Sequence, residues 1–299
     1  MGIKVIKKEK LIRYINEKTN GKLFSDEFYL KCIFKNKLGY RLNLDNPKTF
    51  SEKLQWLKLY DRKPLYTQLV DKYKVRKYIS ETIGEEYLIP LIGVWDNFDD
   101  INFDKLPNKF VLKCNHDSGG LIICKDKSKL NIEESRRKIN RSLKTNYYYM
   151  WREWPYKEIK AKIICEEYLI NENGGIPTDY KFYCFNGKPM YCQVVRGRYV
   201  DHTIDFYDID WNLMKFTNLK NGGIPYKHSK YKYKKPIEYS KMLQIAKTLS
   251  TDFAFVRVDL YLSNKKIYFG ELTFYPFAGF DTLDLEEWNI KFGDMITLP

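Results

Sequence analysis

Between residues 255 and 276 the chain runs FVRVDLYLS, turns at 263–265 and returns as IYFGELTFYP. Its alternation of apolar and polar residues is that of a β-hairpin. In the first arm Val256, Val258 and Leu260 fall to one side, while Arg257 and Asp259 share the other. The return arm puts Glu271 on the adjacent strand, facing Asp259. Mg²⁺ favours near-octahedral oxygen coordination and is usually held by one or two carboxylates together with substrate phosphates. A facing Asp–Glu pair with an arginine two residues before it is therefore suited to a magnesium nucleotide, the plainer alternative being a solvated hairpin face.

A chain of 299 residues, 44% of them hydrophobic, can bury a substantial core in one large domain or two smaller ones. Lys and Arg number 52 against 38 Asp and Glu, a formal charge of +14, so an anionic partner is expected: nucleotide, anionic polymer, nucleic acid or membrane surface. The six cysteines, Cys32, Cys114, Cys124, Cys165, Cys184 and Cys192, form no C-x-x-C pair. They read as reduced core residues of a cytoplasmic protein. No signal-peptide pattern opens the sequence, and no run of about 18 apolar residues occurs. The expected location is cytoplasmic, with a basic surface compatible with peripheral association at the inner face of a membrane.

The pattern is helical at first: Leu11, Ile12 and Ile15 form a short stripe, and TFSEKLQWLKLY opens with a capping box, Thr49 and Glu52. Another helix is expected over 71–82. YLIPLIGVW and KFVLKCN then read as short strands around an acidic, turn-rich stretch, followed by a helix over 132–144 and the strand KIICEEYLI. DYKFYCF and PMYCQVVR form a hairpin about Asn186 and Gly187, and 237–249 is an amphipathic helix. The fold class is α+β, with an N-terminal helical region over 1–70 and the remainder over 71–299.

Four segments carry chemistry. In VLKCNHDSGGLIICKDK, glycines between two strands let backbone N–H groups close on phosphate oxygens, and Lys113 adds a point charge; an unliganded Gly-Gly hairpin is the alternative. His116 in that turn is a candidate for phosphate or substrate contact. No Walker sequence is present. In ICEEYLI, the pair Glu166 and Glu167 followed by Tyr168 and Leu169 suits the amine, hydroxyls and edge of a nucleoside, or is a strand end meeting solvent. Lys181 alternates with its aromatic neighbours in DYKFYCF and so could join Lys113 at a triphosphate. Arg196, Arg198 and Asp205 are either a substrate anion site or surface charges in a loop.

Taken in order, a lysine before a glycine-rich turn, Glu-Glu-aromatic-aliphatic at a strand end, a later strand lysine, then R-x-D and a downstream glutamate resemble the ATP-grasp superfamily. The final module is similar to that of the D-alanine ligases, with two departures. Thr273 stands where their E-x-N motif has asparagine, and Pro276, Phe277, Ala278 and Gly279 replace a tight Pro-Gly. A narrower resemblance covers nearly the whole chain. TFSEKLQWLKLYDR, DKYKVRKYI, VLKCNHDSGG, DYKFYCFNGKP, RVDLY, GELTFYPFAGF and WNIKFGDMITLP look like the TupA-like branch, named from teichuronopeptide biosynthesis and recurring among bacterial capsule and surface-polysaccharide genes.

This resemblance implies an ATP-grasp fold, two α+β subdomains gripping ATP, with about 109–168 covering the nucleotide and about 169–299 forming the Mg²⁺-binding core. It implies an ATP-dependent carboxylate–amine ligase that forms an amide through an acyl phosphate. By position, Asp259, Glu271 and Thr273 would bind Mg²⁺, and Lys113 and Lys181 the phosphates. Ser118, Gly119 and Gly120 would form a flap over the phosphates, and Glu166, Glu167, Tyr168 and Leu169 would receive the nucleoside. Arg257, Lys113 and His116 are the catalytic candidates, with Arg257 on the reacting carboxylate. Arg196, Arg198 and Asp205 would meet substrate. The expected partners are ATP, an acidic sugar or polysaccharide precursor and an amine or amino acid, without nucleic acid. Two further readings are a glycosyltransferase using a nucleotide sugar, whose D-x-D signal occurs only as Asp208-Ile209-Asp210, and a non-catalytic polyanion binder suggested by KYKYKKP.

Overall fold

A computed structural model describes residues 10–16, 18–19, 21–117, 119–171, 174–197, 202–219, 223–230, 232–280 and 282–299. Residues 10–16 are helical. After them come α1 (Asp26–Leu38), α2 (Phe50–Tyr60), α3 (Pro64–Val70), α4 (Val75–Thr82), β1 (Leu91–Trp95), β2 (Phe110–Cys114), β3 (Leu121–Cys124), α5 (Ile132–Leu143) and α6 (Tyr147–Trp151). The order continues with β4 (Ile163–Glu167), β5 (Thr178–Phe185), β6 (Lys188–Arg196), β7 (Thr203–Asp208), α7 (Tyr239–Ser250), β8 (Phe255–Ser263), β9 (Lys266–Thr273) and α8 (Glu286–Asp294).

Local chemistry sets these boundaries. The Glu52 backbone N–H donates to Thr49 Oγ1 at 3.2 Å and the Thr49 N–H donates to Glu52 Oε2 at 3.0 Å, the reciprocal box expected at the start of α2. The helix expected over 71–82 starts only at Val75. Asp71 Oδ1 accepts from the backbone N–H groups of Tyr73 and Lys74, at 2.9 and 3.2 Å, and so bends residues 71–74 into a turn.

The chain divides into two compact units, the first made of Met1–Arg62, Tyr149–Trp154 and Thr178–Pro299. Its five-stranded sheet is antiparallel throughout, in the order β7-β6-β5-β8-β9. Asn186 and Gly187 in one hairpin, and Asn264 and Lys265 in the other, have positive φ, which matches the twist of two-residue hairpin turns. Met242, Ile245, Ala246 and Leu249 of α7 are buried, and that helix packs on β5, β6 and β8. Phe50 of α2 meets Phe255 at 5.0 Å and Phe292 of α8 at 5.5 Å, while Phe185 meets Phe292 at 5.3 Å. At Gly293 a Cβ would lie 1.9 Å from the Lys48 carbonyl oxygen, so α8 can approach the start of α2 only without a side chain there. The N-terminal helices, as far as residue 62, thus share a core with the C-terminal sheet.

The second unit comprises Lys63–Tyr148 and Pro155–Pro177 and contains an antiparallel four-stranded sheet, order β1-β4-β2-β3. Phe110, Leu112 and Cys114 of β2 face a core that includes Ile139 of α5, and Val111 and Lys113 alternate to the other side. Burial pushes the thiols of Cys114, Cys165 and Cys184 up to about 11, 12 and 12, in keeping with inert core cysteines. Among the described residues no helix is long and apolar enough to cross a membrane.

Candidate functional site

Direct β-pairing sets Lys181 of β5 opposite Asp259 of β8, and Asp259 opposite Glu271 of β9. Because directly paired residues share a face, one rung carries a lysine and two carboxylates across three strands. The next rung pairs Arg257 with Thr273. The β8–β9 register shifts immediately beyond Asp259, so that Leu260 pairs with Phe269 and Gly270 becomes the extra residue of a bulge. A Cβ on Gly270 would stand 2.9 Å from the Asp259 carbonyl oxygen, so the bulge that turns Glu271 onto this face depends on a glycine.

Asp259 is 1% exposed. Arg257 Nε donates to its Oδ1 at 2.6 Å and Arg257 Nη2 to its Oδ2 at 2.7 Å, while the Lys181 ammonium also bonds Oδ2. Burial pushes the Asp259 carboxyl up, but Arg257 and then Lys181 more than reverse this and hold it below the usual carboxylate range. Lys181 also pairs with Asp179 at 3.2 Å. Arg257 Nη2 reaches Thr273 Oγ1 at 3.1 Å and Glu271 Oε1 at 3.4 Å, and Thr273 Oγ1 donates to Glu271 Oε1 at 3.2 Å. The Glu271 side chain is 43% exposed, so this corner opens to solvent. Asp259, Glu271 and Thr273 offer only oxygen donors, a set that fits a hard cation such as Mg²⁺. Among the described residues, no group of three or more His, Cys, Asp or Glu is arranged to hold a metal.

In the second unit, Glu166 is buried between two cations: Lys113 Nζ lies 2.5 Å from its Oε2, and Arg76 Nη1 donates to its Oε1 at 3.3 Å. The expectation that Glu166 faces a nucleoside gives way here to an ion pair with the phosphate-binding candidate Lys113. Glu167 at the strand end is exposed, and Tyr168 and Leu169 follow it half-buried outside the sheet. Arg76 and Lys72 were not singled out in the sequence. Lys72 donates to the Asp117 carbonyl in the glycine turn, and the DK dipeptide opening DKYKVRKYI is the signal that could have pointed to it.

The turn itself is closed by its own carboxylate. Asp117 accepts from the Gly120 N–H at 3.1 and 3.0 Å through its two oxygens, and from the Ser142 hydroxyl, so the amide expected to face phosphate is engaged within the turn. A Cβ on Gly120 would meet Ser142 Oγ at 2.3 Å, whereas Gly119 meets nothing closer than Asp117 Oδ2 at 3.6 Å. Ser118 lies outside the described residues. His116, a catalytic candidate from the sequence, ties this turn to the end of α5. The ring is buried, with Nε2 on the carbonyls of Ser142 and Thr145 at 3.2 and 3.1 Å and Nδ1 on Asn115 Oδ1 at 3.3 Å. Asn115 is fixed in turn by donating to Asp71 Oδ1 and the Lys160 carbonyl and accepting from the Lys162 N–H.

The expected substrate group does not assemble around Asp205. That residue sits in β7 rather than a loop, and its buried carboxylate meets His228 Nδ1 at 3.0 Å and accepts from the Ser229 N–H at 3.2 Å. Arg196 is exposed and lies 3.8 Å from the centre of the Tyr233 ring. Arg198 lies outside the described residues.

Residues 52–297 match a family described as TupA-like ATPgrasp. No curated protein matches the chain. Among solved structures it is similar to a D-alanine–D-alanine ligase from Bacillus anthracis complexed with ATP, at 17% identity and a TM-score of 0.43, over 77% of this chain and 63% of that one. The Helicobacter pylori D-alanine–D-alanine ligase gives 13% identity and 0.43, over 83% and 69%. The ATP-grasp ligase PsnB, complexed with a minimal precursor, Mg and ADP, gives 9% and 0.37, over 75% and 57%. The chain thus spans less than two thirds of the length of the Bacillus and PsnB chains.

Proposed function

The chain belongs to the TupA-like ATP-grasp family, and from that premise we propose that it is an ATP-dependent carboxylate–amine ligase. Its proposed substrates are a uronic acid of a bacterial capsule or surface polysaccharide, or a precursor of one, and an amino acid or other amine. The observation that carries this reading is the Lys181–Asp259–Glu271 rung, with Arg257 and Thr273 on the next. Its three oxygen donors suit Mg²⁺, and its two cations suit the phosphates and the reacting carboxylate.

In this reading Asp259 and Glu271 would hold Mg²⁺, with Thr273 beside them, and Lys181 and Lys113 would each contact phosphate. Lys72, which donates to the Asp117 carbonyl in the glycine turn, is a second cation of Lys113's own unit suited to an anion. When bound, Mg²⁺ would supply charge neutralisation at the phosphate oxygens. The substrate carboxylate oxygen attacks the γ-phosphorus and ADP leaves, giving an acyl phosphate. The amine nitrogen then bonds to the acyl carbon, the C–O bond to phosphate breaks, and the departing phosphate takes up the proton that nitrogen loses as the amide forms. Arg257 orients Asp259 and stabilises the reacting carboxylate. Acyl phosphates hydrolyse readily, so the reaction needs water kept from the intermediate. The basic surface, at +14 overall, steers an acidic sugar.

Calorimetric titration with a non-hydrolysable ATP analogue and, separately, a uridine diphosphate sugar, each with Mg²⁺, tests the proposal. The analogue is expected to bind the parent and to lose its Mg²⁺-dependent binding in Glu271→Gln. Binding of the nucleotide sugar alone would sink the ligase and favour the transferase. The D-x-D pair argues against the transferase, because Asp208 accepts from the N–H groups of Asp210 and Asn212 at 3.0 and 2.8 Å and so closes a turn.

A further inference from the structure

Immediately after β9 the backbone enters an unusual turn: Phe277, Ala278 and Gly279 have φ of 49°, 56° and 68° in succession. Left-handed conformation is costly for residues with a Cβ, and a run of it persists only where the surroundings over-determine it. Here the surroundings are two side chains of α2 more than 200 positions earlier in sequence. Gln55 Nε2 donates to the Gly279 carbonyl at 2.7 Å and to that of Ala278 at 3.3 Å. Lys58 Nζ donates to the Ala278 carbonyl at 2.5 Å, to the Trp151 carbonyl at 3.1 Å and to Gln55 Oε1 at 3.0 Å.

Three acceptors for three ammonium hydrogens leave the head of Lys58 fully satisfied although the residue is 0% exposed. The residues flanking the turn close over the same charge, the Phe280 ring centre at 4.7 Å and that of Tyr275 at 5.7 Å. Burial lowers the Lys58 pKa to about 7, and the buried Glu153 carboxylate acts in the opposite direction. A helix that only filled space at this point would carry an apolar residue more cheaply than a lysine.

We propose that Gln55 and Lys58 are positioning residues for the metal site, gripping the 277–279 turn by its carbonyls and so fixing the end of β9 that bears Glu271 and Thr273. The inference rests on the reading that Asp259 and Glu271 hold Mg²⁺, and it gives the α2 helix a part in the site rather than in the fold alone.

The experiment is a Mg²⁺ titration of ATP-analogue binding, followed by calorimetry, for the full-length parent, Gln55→Leu, Lys58→Met and Gly279→Ala. Gly279→Ala attacks the turn from its own side, since the new Cβ would stand 2.6 Å from Gln55 Nε2 at a φ of +68°. The apparent Mg²⁺ requirement is expected to rise about 10- to 100-fold, the usual range for groups that orient metal ligands, while analogue binding in Mg²⁺-free buffer stays at the parent's level. Circular dichroism identifies which variants fold, and the comparison is made on those, with Gln55→Leu as the mildest. An unchanged Mg²⁺ requirement in folded Gln55→Leu and Gly279→Ala overturns the positioning role and leaves the ligase reading standing. A parent that binds the analogue without any Mg²⁺ dependence overturns both.

Discussion

Both units place a carboxylate between two cations, but they do so in opposite surroundings. Asp259 lies in a strand whose residues from Phe255 to Leu260 are all buried, and Arg257 and Lys181 are themselves buried beside it. Glu166 is equally buried, yet the side chains of its partners Lys113 and Arg76 retain 18% and 16% exposure. In the first cluster loss of Asp259 leaves Lys181 to the buried Asp179 and Arg257 to the more open Glu271. In the second, both cations keep a margin open to water. Sealing charges into a sheet is costly, so the Asp259 cluster reads as the more fixed platform and the Glu166 cluster as the more exchangeable of the two.

The sharpest way to break that contrast is Asp259→Asn. It removes the carboxylate that Arg257 and Lys181 share, leaving Lys181 to Asp179 and Arg257 to Glu271, and is expected to lower stability by about 3 kcal/mol in urea unfolding, together with loss of Mg²⁺-dependent nucleotide binding. Glu271→Gln, at the exposed edge of the same rung, should lose the nucleotide binding with a stability change within about 0.5 kcal/mol. Equal destabilisation by the two would show that the rung is not sealed at one end and open at the other.

The same carboxylate sets an acid limit. Because the folded pKa of Asp259 is held below its unfolded value, its contribution is fully present above about pH 4 and is lost as pH falls through the folded value. Acid unfolding followed by circular dichroism should therefore steepen below about pH 4 in the parent and flatten in Asp259→Asn. A parent curve with the same slope as the variant would mean that Asp259 is not the group sealed in this way.

Which parts of this arrangement were legible in the sequence follows from the range of the interactions. The Asp259–Glu271 pairing follows from two-residue alternation across a short turn, and the Thr49–Glu52 box from a spacing of three. Both are local, and both occur as read. Lys181 was legible as a face partner of its own strand, although its contact with Asp259 spans 78 positions. Gln55 and Lys58 are not legible in this way, because the carbonyls they hold lie 93 to 224 positions away. The available signal was a lysine four positions after Leu54, on the apolar stripe of α2. For His116 and Asp205 the converse holds. Residue type marks a polar side chain as chemically capable, but only the fold reveals that its capacity is already taken up by a helix end or a loop.

In the open cluster the expected effects are smaller. Glu166→Gln removes a charged acceptor from both Lys113 and Arg76 and should cost about 1.5–3 kcal/mol, less at high salt because its partners are partly solvated. Arg76→Met should cost less again, about 1 kcal/mol or under, since Glu166 retains Lys113 at 2.5 Å and water can reach the vacated side. The ordering carries more than either magnitude. If Arg76→Met destabilises as much as Glu166→Gln in paired urea titrations, Glu166 depends on both cations at once, as Asp259 does. Lys113 would then not be free to leave it for a phosphate without Arg76 taking its place, and the distinction between platform and exchangeable cluster would fail at the residue where it matters most for nucleotide binding.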